Sequence, residues 1–163
     1  MSTTAVRLLF VSGTLVLLSA CTTPTPPPAA NSPGPVEPVC ERQADTRLVG
    51  NWYMSRKLSG VAGELQTLLT LQADGKMRQQ TRVKSGRNIR SELRETGCWS
   101  LANGKLTTRV TRSNGELVDV DDPIYRSIYR VEKVDTRRLT IREDKPGSRP
   151  VTAERKTDQY RLP

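Results

Sequence analysis

Dipeptides that turn a backbone sharply punctuate the chain: Asp74-Gly75, Ser85-Gly86, Asn103-Gly104, Asn114-Gly115 and Pro146-Gly147. Most are spaced by roughly 10 to 18 residues, with short alternating runs between them, the pattern of an antiparallel meander. Leu65, Thr67, Leu69 and Leu71 alternate before the first turn, and Met77, Gln79, Thr81 and Val83 keep the same period after it. Leu106, Thr108 and Val110 follow Asn103-Gly104. Tyr125, Ser127, Tyr129 and Val131 form a later face, and Leu139 and Ile141 another. Period two puts the members of each set on one side of a strand. No run carries an apolar stripe at helical spacing. The expected fold is all-β, a small antiparallel up-and-down barrel or strongly curved sheet, because closing the sheet removes its edges.

Residues 1–20 read as an address rather than as part of that fold. Arg7 precedes an apolar stretch over residues 8–18, which is about half the length that crosses a bilayer as a helix. The stretch ends in Leu18-Ser19-Ala20-Cys21, which resembles the lipobox of bacterial lipoproteins. The resemblance implies a signal peptide cut before Cys21, a palmitate-type lipid anchor on the Cys21 thiol and attachment to a membrane. The family's sorting rule turns on the next residue. Thr22, in place of Asp, implies the outer membrane, most simply its periplasmic face. In residues 22–39 seven of eighteen positions are proline, so the segment cannot bury a core and is expected to serve as an extended, disordered tether. The domain reading is therefore a signal peptide over 1–20, a lipidated cysteine and linker over 21–39, and a β-barrel over 40–163.

An exported chain with two further cysteines, Cys40 and Cys98, is expected to pair them. The chain has no histidine, which removes the commonest general base near neutral pH and the commonest metal ligand. With lipid on Cys21 and the other thiols paired, no free thiolate is left as a nucleophile. No serine elbow or phosphate-cradling glycine loop is present. The expectation is a protein that is not an enzyme and uses no cofactor or metal. The one acidic cluster, Asp119-Val120-Asp121-Asp122, lacks a glycine turn and a distal carboxylate for calcium and reads as a solvated turn before Pro123.

Gly50-Asn51-Trp52 and Gly97-Cys98-Trp99 each open a strand. A glycine two before a tryptophan lies on the face of the ring and leaves room for the ring of a neighbouring strand or for close backbone approach. Here the chain resembles the lipocalins, whose first strand carries a Gly-x-Trp motif at the closed end of an eight-stranded barrel. The family also packs a late arginine on that tryptophan, for which Arg126, Arg130 and Arg142 are candidate counterparts. Leu48-Val49-Gly50-Asn51-Trp52 is similar as well to the opening of the small META lipoproteins. The lipocalin resemblance implies a carrier of a small hydrophobic or amphiphilic ligand. Trp52, Leu65, Leu69, Met77, Trp99, Tyr125 and Tyr129 are then the expected cavity lining.

The charge pattern points elsewhere. The formal net charge is +9. An exported chain meets no nucleic acid, so its anionic partners are lipid headgroups, lipopolysaccharide or acidic envelope proteins. Lys76, Arg78, Arg82 and Lys84 fall on one face of a strand, and period two puts Arg90 and Arg94 on the same face of the next. Residues 76–94 hold seven basic side chains against one acidic, so much of the excess charge sits in a single hairpin. Arginine forks match phosphate and carboxylate bidentately. The first functional expectation is thus a basic hairpin that binds an anionic envelope component or protein partner, with carriage inside the barrel as the alternative.

Overall fold

A computed structural model describes residues 38–57 and 63–163. The signal segment, Cys21 and the linker up to residue 37 lie outside the described residues. The described residues form nine strands: β1 (Gly50–Lys57), β2 (Glu64–Leu71), β3 (Lys76–Ser85), β4 (Asn88–Ala102), β5 (Lys105–Ser113), β6 (Glu116–Leu117), β7 (Arg126–Val134), β8 (Arg138–Glu143) and β9 (Val151–Lys156). Neighbours pair antiparallel in the order β4-β3-β2-β1-β9-β8-β7-β5, and β4 pairs with β5 to close the ring. The result is an eight-stranded up-and-down barrel, with β6 as a short addition to β5. This is the all-β fold that the turn spacing predicts.

The turns fall where the dipeptides place them. Asn103 and Gly104, and Asn114 and Gly115, all have positive φ. Two successive residues in that region make the tight turn whose twist suits a β-hairpin, and asparagine and glycine enter it at least cost. The acidic cluster is a turn as expected. The Asp119 side chain accepts from the Asp121 N–H, and Asp122 caps a single 3-10 turn at Pro123–Tyr125 by accepting from the Ile124 N–H.

The apolar sets named above supply the core. Trp52, Leu69, Leu71, Met77, Trp99, Leu106, Val110, Leu139 and Ile141 are buried together, joined by Leu48 and Ala153. Residues 38–48 lie against the β2–β3 turn and the end of β4, where the Gln43 N–H donates to the Ala73 carbonyl and the Gln43 side chain accepts from the Leu101 N–H. Leu48 is fully buried, and its carbonyl accepts from the Trp52 indole at 2.7 Å. Trp99 donates in the same way to the Gln72 carbonyl at 2.8 Å. Cys40 and Cys98 form a disulfide, with their Cα atoms 5.2 Å apart, which fixes this segment to β4.

The Gly-x-Trp motif is explained by an arginine that the sequence reading did not pick. The β1–β9 seam sets Trp52 opposite Arg155, and the Arg155 Cζ lies 4.1 Å from the centre of a Trp52 ring. Its fork donates to the carbonyls of Val49 at 2.5 Å and Arg47 at 2.8 Å. Gly50 has φ +135°, and a Cβ there would overlap the Arg155 guanidinium. The room left by Gly50 is therefore filled by a guanidinium, not by the ring of a neighbouring strand. Arg126, Arg130 and Arg142 are not counterparts. They alternate with the inward Tyr129 and Ile141, so they face out, and two of them pair at the surface, Arg130 with Asp144 and Arg142 with Glu132. Gly97 meets the other expectation, close backbone approach: a Cβ there would overlap the Arg109 carbonyl on β5.

Candidate functional site

The basic hairpin is β3–β4. Its register sets Arg78 opposite Thr96, Gln80 opposite Arg94 and Arg82 opposite Glu92. Met77, on the intervening side, is in the core, so these six side chains are on the outer surface. On the β2 side, Thr70, Leu68 and Gln66 stand opposite Arg78, Gln80 and Arg82. Outer-face rows thus run Thr70–Arg78–Thr96, Leu68–Gln80–Arg94 and Gln66–Arg82–Glu92 across three strands.

The expected row of six cations is shorter than period two suggests. The register shifts between Val83 and Lys84, so that Lys84 stands opposite Ile89 and Arg90 has no partner across the hairpin. Arg90 is therefore the extra residue of a bulge and does not extend the row of Arg94. Lys84 is opposite Glu64 on β2, whose carboxyl is held below its ordinary value first by the Ser55 hydroxyl and then by Gln66, with smaller help from Lys57 and Lys84. Lys76, at the other end, pairs with Asp74 at 3.1 Å.

The remaining three arginines differ in how much of each is free. Arg82 is the most committed, with 15% of its side chain exposed. Its Nε donates to Glu92 at 3.1 Å and its Nη1 to the Leu162 carbonyl at 2.9 Å. Arg94 donates only its Nε to Glu92, at 2.6 Å, and its side chain is 71% exposed. Arg78 makes no ion pair or hydrogen bond through its side chain among the described residues. Glu92 is the single carboxylate of this group. Gln80 and Arg94 hold it below the ordinary glutamate range, with Arg82 adding to them.

The C-terminal segment completes the surface, at a place that no motif marks. After β9 the chain turns back over the outside of β1, β2 and β3. Asn51 donates to the Thr157 carbonyl at 3.0 Å, Tyr160 meets Tyr53 edge-on at 5.6 Å between ring centres, and Leu162 and Leu68 are both buried. This brings Arg161 to the edge of the basic face. Arg78, Arg82, Arg94 and Arg161 together line one open groove of about 500 Å3, with Leu68, Gln80 and Thr96. A sequence separation near 70 residues, with no apolar period leading into 157–163, hides that juxtaposition.

The expected cavity lining is largely core. Trp52, Leu69, Met77 and Trp99 are buried in one cluster, and Tyr125 and Tyr129 are half-buried against it. Leu65 is half-buried on β2, opposite Val83. Polar pairs share this inward face, Thr67 with Thr81 and Gln79 with Glu95. Gln79 donates to Glu95 at 3.0 Å, and burial pushes the Glu95 carboxyl above its ordinary value against the opposing effect of that hydrogen bond. No protein-family model and no curated protein sequence matches this chain.

Proposed function

We propose that the chain is a lipid-anchored protein of the bacterial cell envelope. In this reading it is not an enzyme, and its barrel docks on an anionic envelope component through the outer face of β3–β4. The anchor is lipid on Cys21, and Thr22 argues for the outer membrane, on its periplasmic face. The observation that carries the docking role is the gathering of four guanidinium groups along one open outer groove, with only two of them, Arg82 and Arg94, paired to a carboxylate. Charge of one sign on a solvated face steers an anionic partner and holds it through forks that need little rearrangement. The carrier alternative has less to draw on, because the aromatic and apolar side chains it would use for lining pack on one another.

The experiment is retention of the full-length protein, in neutral lipid nanodiscs, on beads coated with anionic vesicles. Near a negative surface each basic side chain contributes about 1 kcal/mol, so Arg78→Gln with Arg94→Gln should weaken retention roughly 30-fold. The wild-type protein should also release as salt rises, since the screening length falls from about 10 Å at 0.1 M to about 3 Å at 1 M. Equal retention of wild type and double variant at low salt would end the proposal. The anchor has its own test: Cys21→Ser should abolish palmitate labelling and free the protein from membranes.

A further inference from the structure

We infer that the groove between the β3–β4 outer face and the C-terminal segment is a discrete site for a phosphomonoester, held by Arg78, Arg94 and Arg161. This rests on the anionic docking role and narrows it from a charged surface to one chemical group.

Three features lead there. The first is the number and freedom of the forks. A carboxylate is satisfied by one fork, whereas a phosphomonoester presents three terminal oxygens and close to two negative charges near neutral pH. The carboxylate beside the groove, Glu92, already accepts from Gln80, Arg82 and Arg94. What is left over is more donors than another carboxylate would use. Arg78 is unpaired among the described residues, the two Nη groups of Arg94 make no hydrogen bond there, and Arg161 uses only Nη1, on the Asp158 and Tyr160 carbonyls.

The second feature is that the arginines come from two separate pieces of chain. Arg78 and Arg94 project from adjacent strands, and Arg161 approaches from the segment lying across them. A flat basic strand face would meet a surface from one side. A groove with cations on both banks can surround a single anion, which rewards the more highly charged and more branched group.

The third is that the groove is pinned. Arg82 ties the C-terminal segment to β3 through the Leu162 carbonyl, and Leu162 and Leu68 are buried beneath it. Arg161 is therefore held near its partners before any ligand arrives, so less ordering is needed on binding. Leu68, Gln80 and Thr96 line the remainder, a surface that suits the glycerol or sugar carbon next to a phosphate better than a second charge.

The test uses full-length protein in neutral detergent and three probes: glycerol 3-phosphate, dihexanoyl phosphatidic acid and dihexanoyl phosphatidylglycerol. The two lipids share their acyl chains and differ in carrying a phosphomonoester or a phosphodiester. Calorimetry should show phosphatidic acid binding roughly tenfold more tightly than phosphatidylglycerol. Arg161→Gln should erase that preference while leaving the weaker binding of phosphatidylglycerol in place. Arg161→Lys, which keeps the charge without the fork, should restore only part of it. Glycerol 3-phosphate binding as tightly as phosphatidic acid would support the site and identify free phosphomonoesters as its ligands. Tighter binding of the lipid would support it with a lipid headgroup as the source. Equal affinity for the two lipids, or an Arg161→Gln variant that keeps the preference, would overturn the site and leave only a diffuse basic face. Loss of every anionic partner, vesicles included, would instead remove the docking role on which the site rests.

Discussion

Arg155 lies over the indole of Trp52 across the β1–β9 seam, its Cζ 4.1 Å from the ring centre, and gives both ends of its fork to main-chain carbonyls of the segment entering β1. The ring takes one face, and the carbonyls of Val49 and Arg47 take the edge. One position is left unmet: the buried Arg155 Nε has no hydrogen-bond partner among the described residues. Truncation to alanine leaves two carbonyls without a donor and removes the cation from the ring, so Arg155→Ala should destabilise the barrel by about 3 kcal/mol. Gly50→Ala should also destabilise it, because the new Cβ would collide with the guanidinium. Urea unfolding of both single variants and the double variant checks the link: the two losses should add to more than the double variant shows.

The disulfide closes a loop with a sequence separation of 58 between Cys40 and Cys98. In the chain-entropy treatment this stabilises the fold by about 4 kcal/mol. Replacing both cysteines by serine should therefore lower the urea midpoint strongly while the far-ultraviolet spectrum stays that of a β protein. A mass measurement of the untreated protein should find neither thiol free to alkylate.

Arg82 and Arg78 stand four residues apart on one strand face and should behave oppositely. Arg82 is nearly buried and holds the C-terminal segment, so Arg82→Gln should cost about 1 to 2 kcal/mol of stability and expose the 157–163 segment to proteolysis. Arg78→Gln should leave stability within about 0.5 kcal/mol of wild type and appear only in anion binding. Limited proteolysis beside urea unfolding separates the two.

Glu95 predicts a pH dependence of unusual sign. Burial raises its folded-state value above the ordinary 4.5. The folded chain therefore holds this proton more firmly than the unfolded chain. The stabilisation that proton brings is fully present below pH 4.5 and is lost as pH rises through the folded-state value. At neutral pH the ionised carboxylate works against the fold. Glu95→Gln keeps an acceptor for the Gln79 amide and removes the charge, so it should raise Tm at about pH 7. The gain should vanish at about pH 4. Thermal unfolding of both proteins at the two pH values measures it, and the acid loss from depressed carboxylates such as Asp74 and Asp144 is common to both.

Much of this was readable from residues alone, and the exceptions share a cause. The hairpin turns were legible because Asn-Gly and Asp-Gly meet a backbone need that few residues meet. The inner faces of β2, β3, β5 and β8 were legible because burial selects every second side chain. β9 was not, since its inward residues are Val151, Ala153 and Arg155, and an inward arginine breaks the apolar period until its partner is known. Arg90 was misplaced because one bulge resets every parity beyond it. The groove was missed for a different reason. Its two banks are distant in sequence, and what brings them together is a hydrogen bond to a main-chain carbonyl with isolated tyrosine and leucine contacts, which form no period.

The sulfur bridge between Cys40 and Cys98 also determines how the barrel answers a mechanical pull. A load applied from the N-terminal side would otherwise arrive at β1, whose seam with β9 spans only the pairs from Asn51 to Tyr53 and is a natural place to unzip. With Cys40 bonded to Cys98, the load leaves the main chain before β1 and enters β4. That strand is laced along its length to β3 on one side and to β5 on the other. Residues 41–97 are then out of the force path and cannot be drawn out while the bridge lasts. The barrel is gripped by one of its best-held staves rather than at its seam.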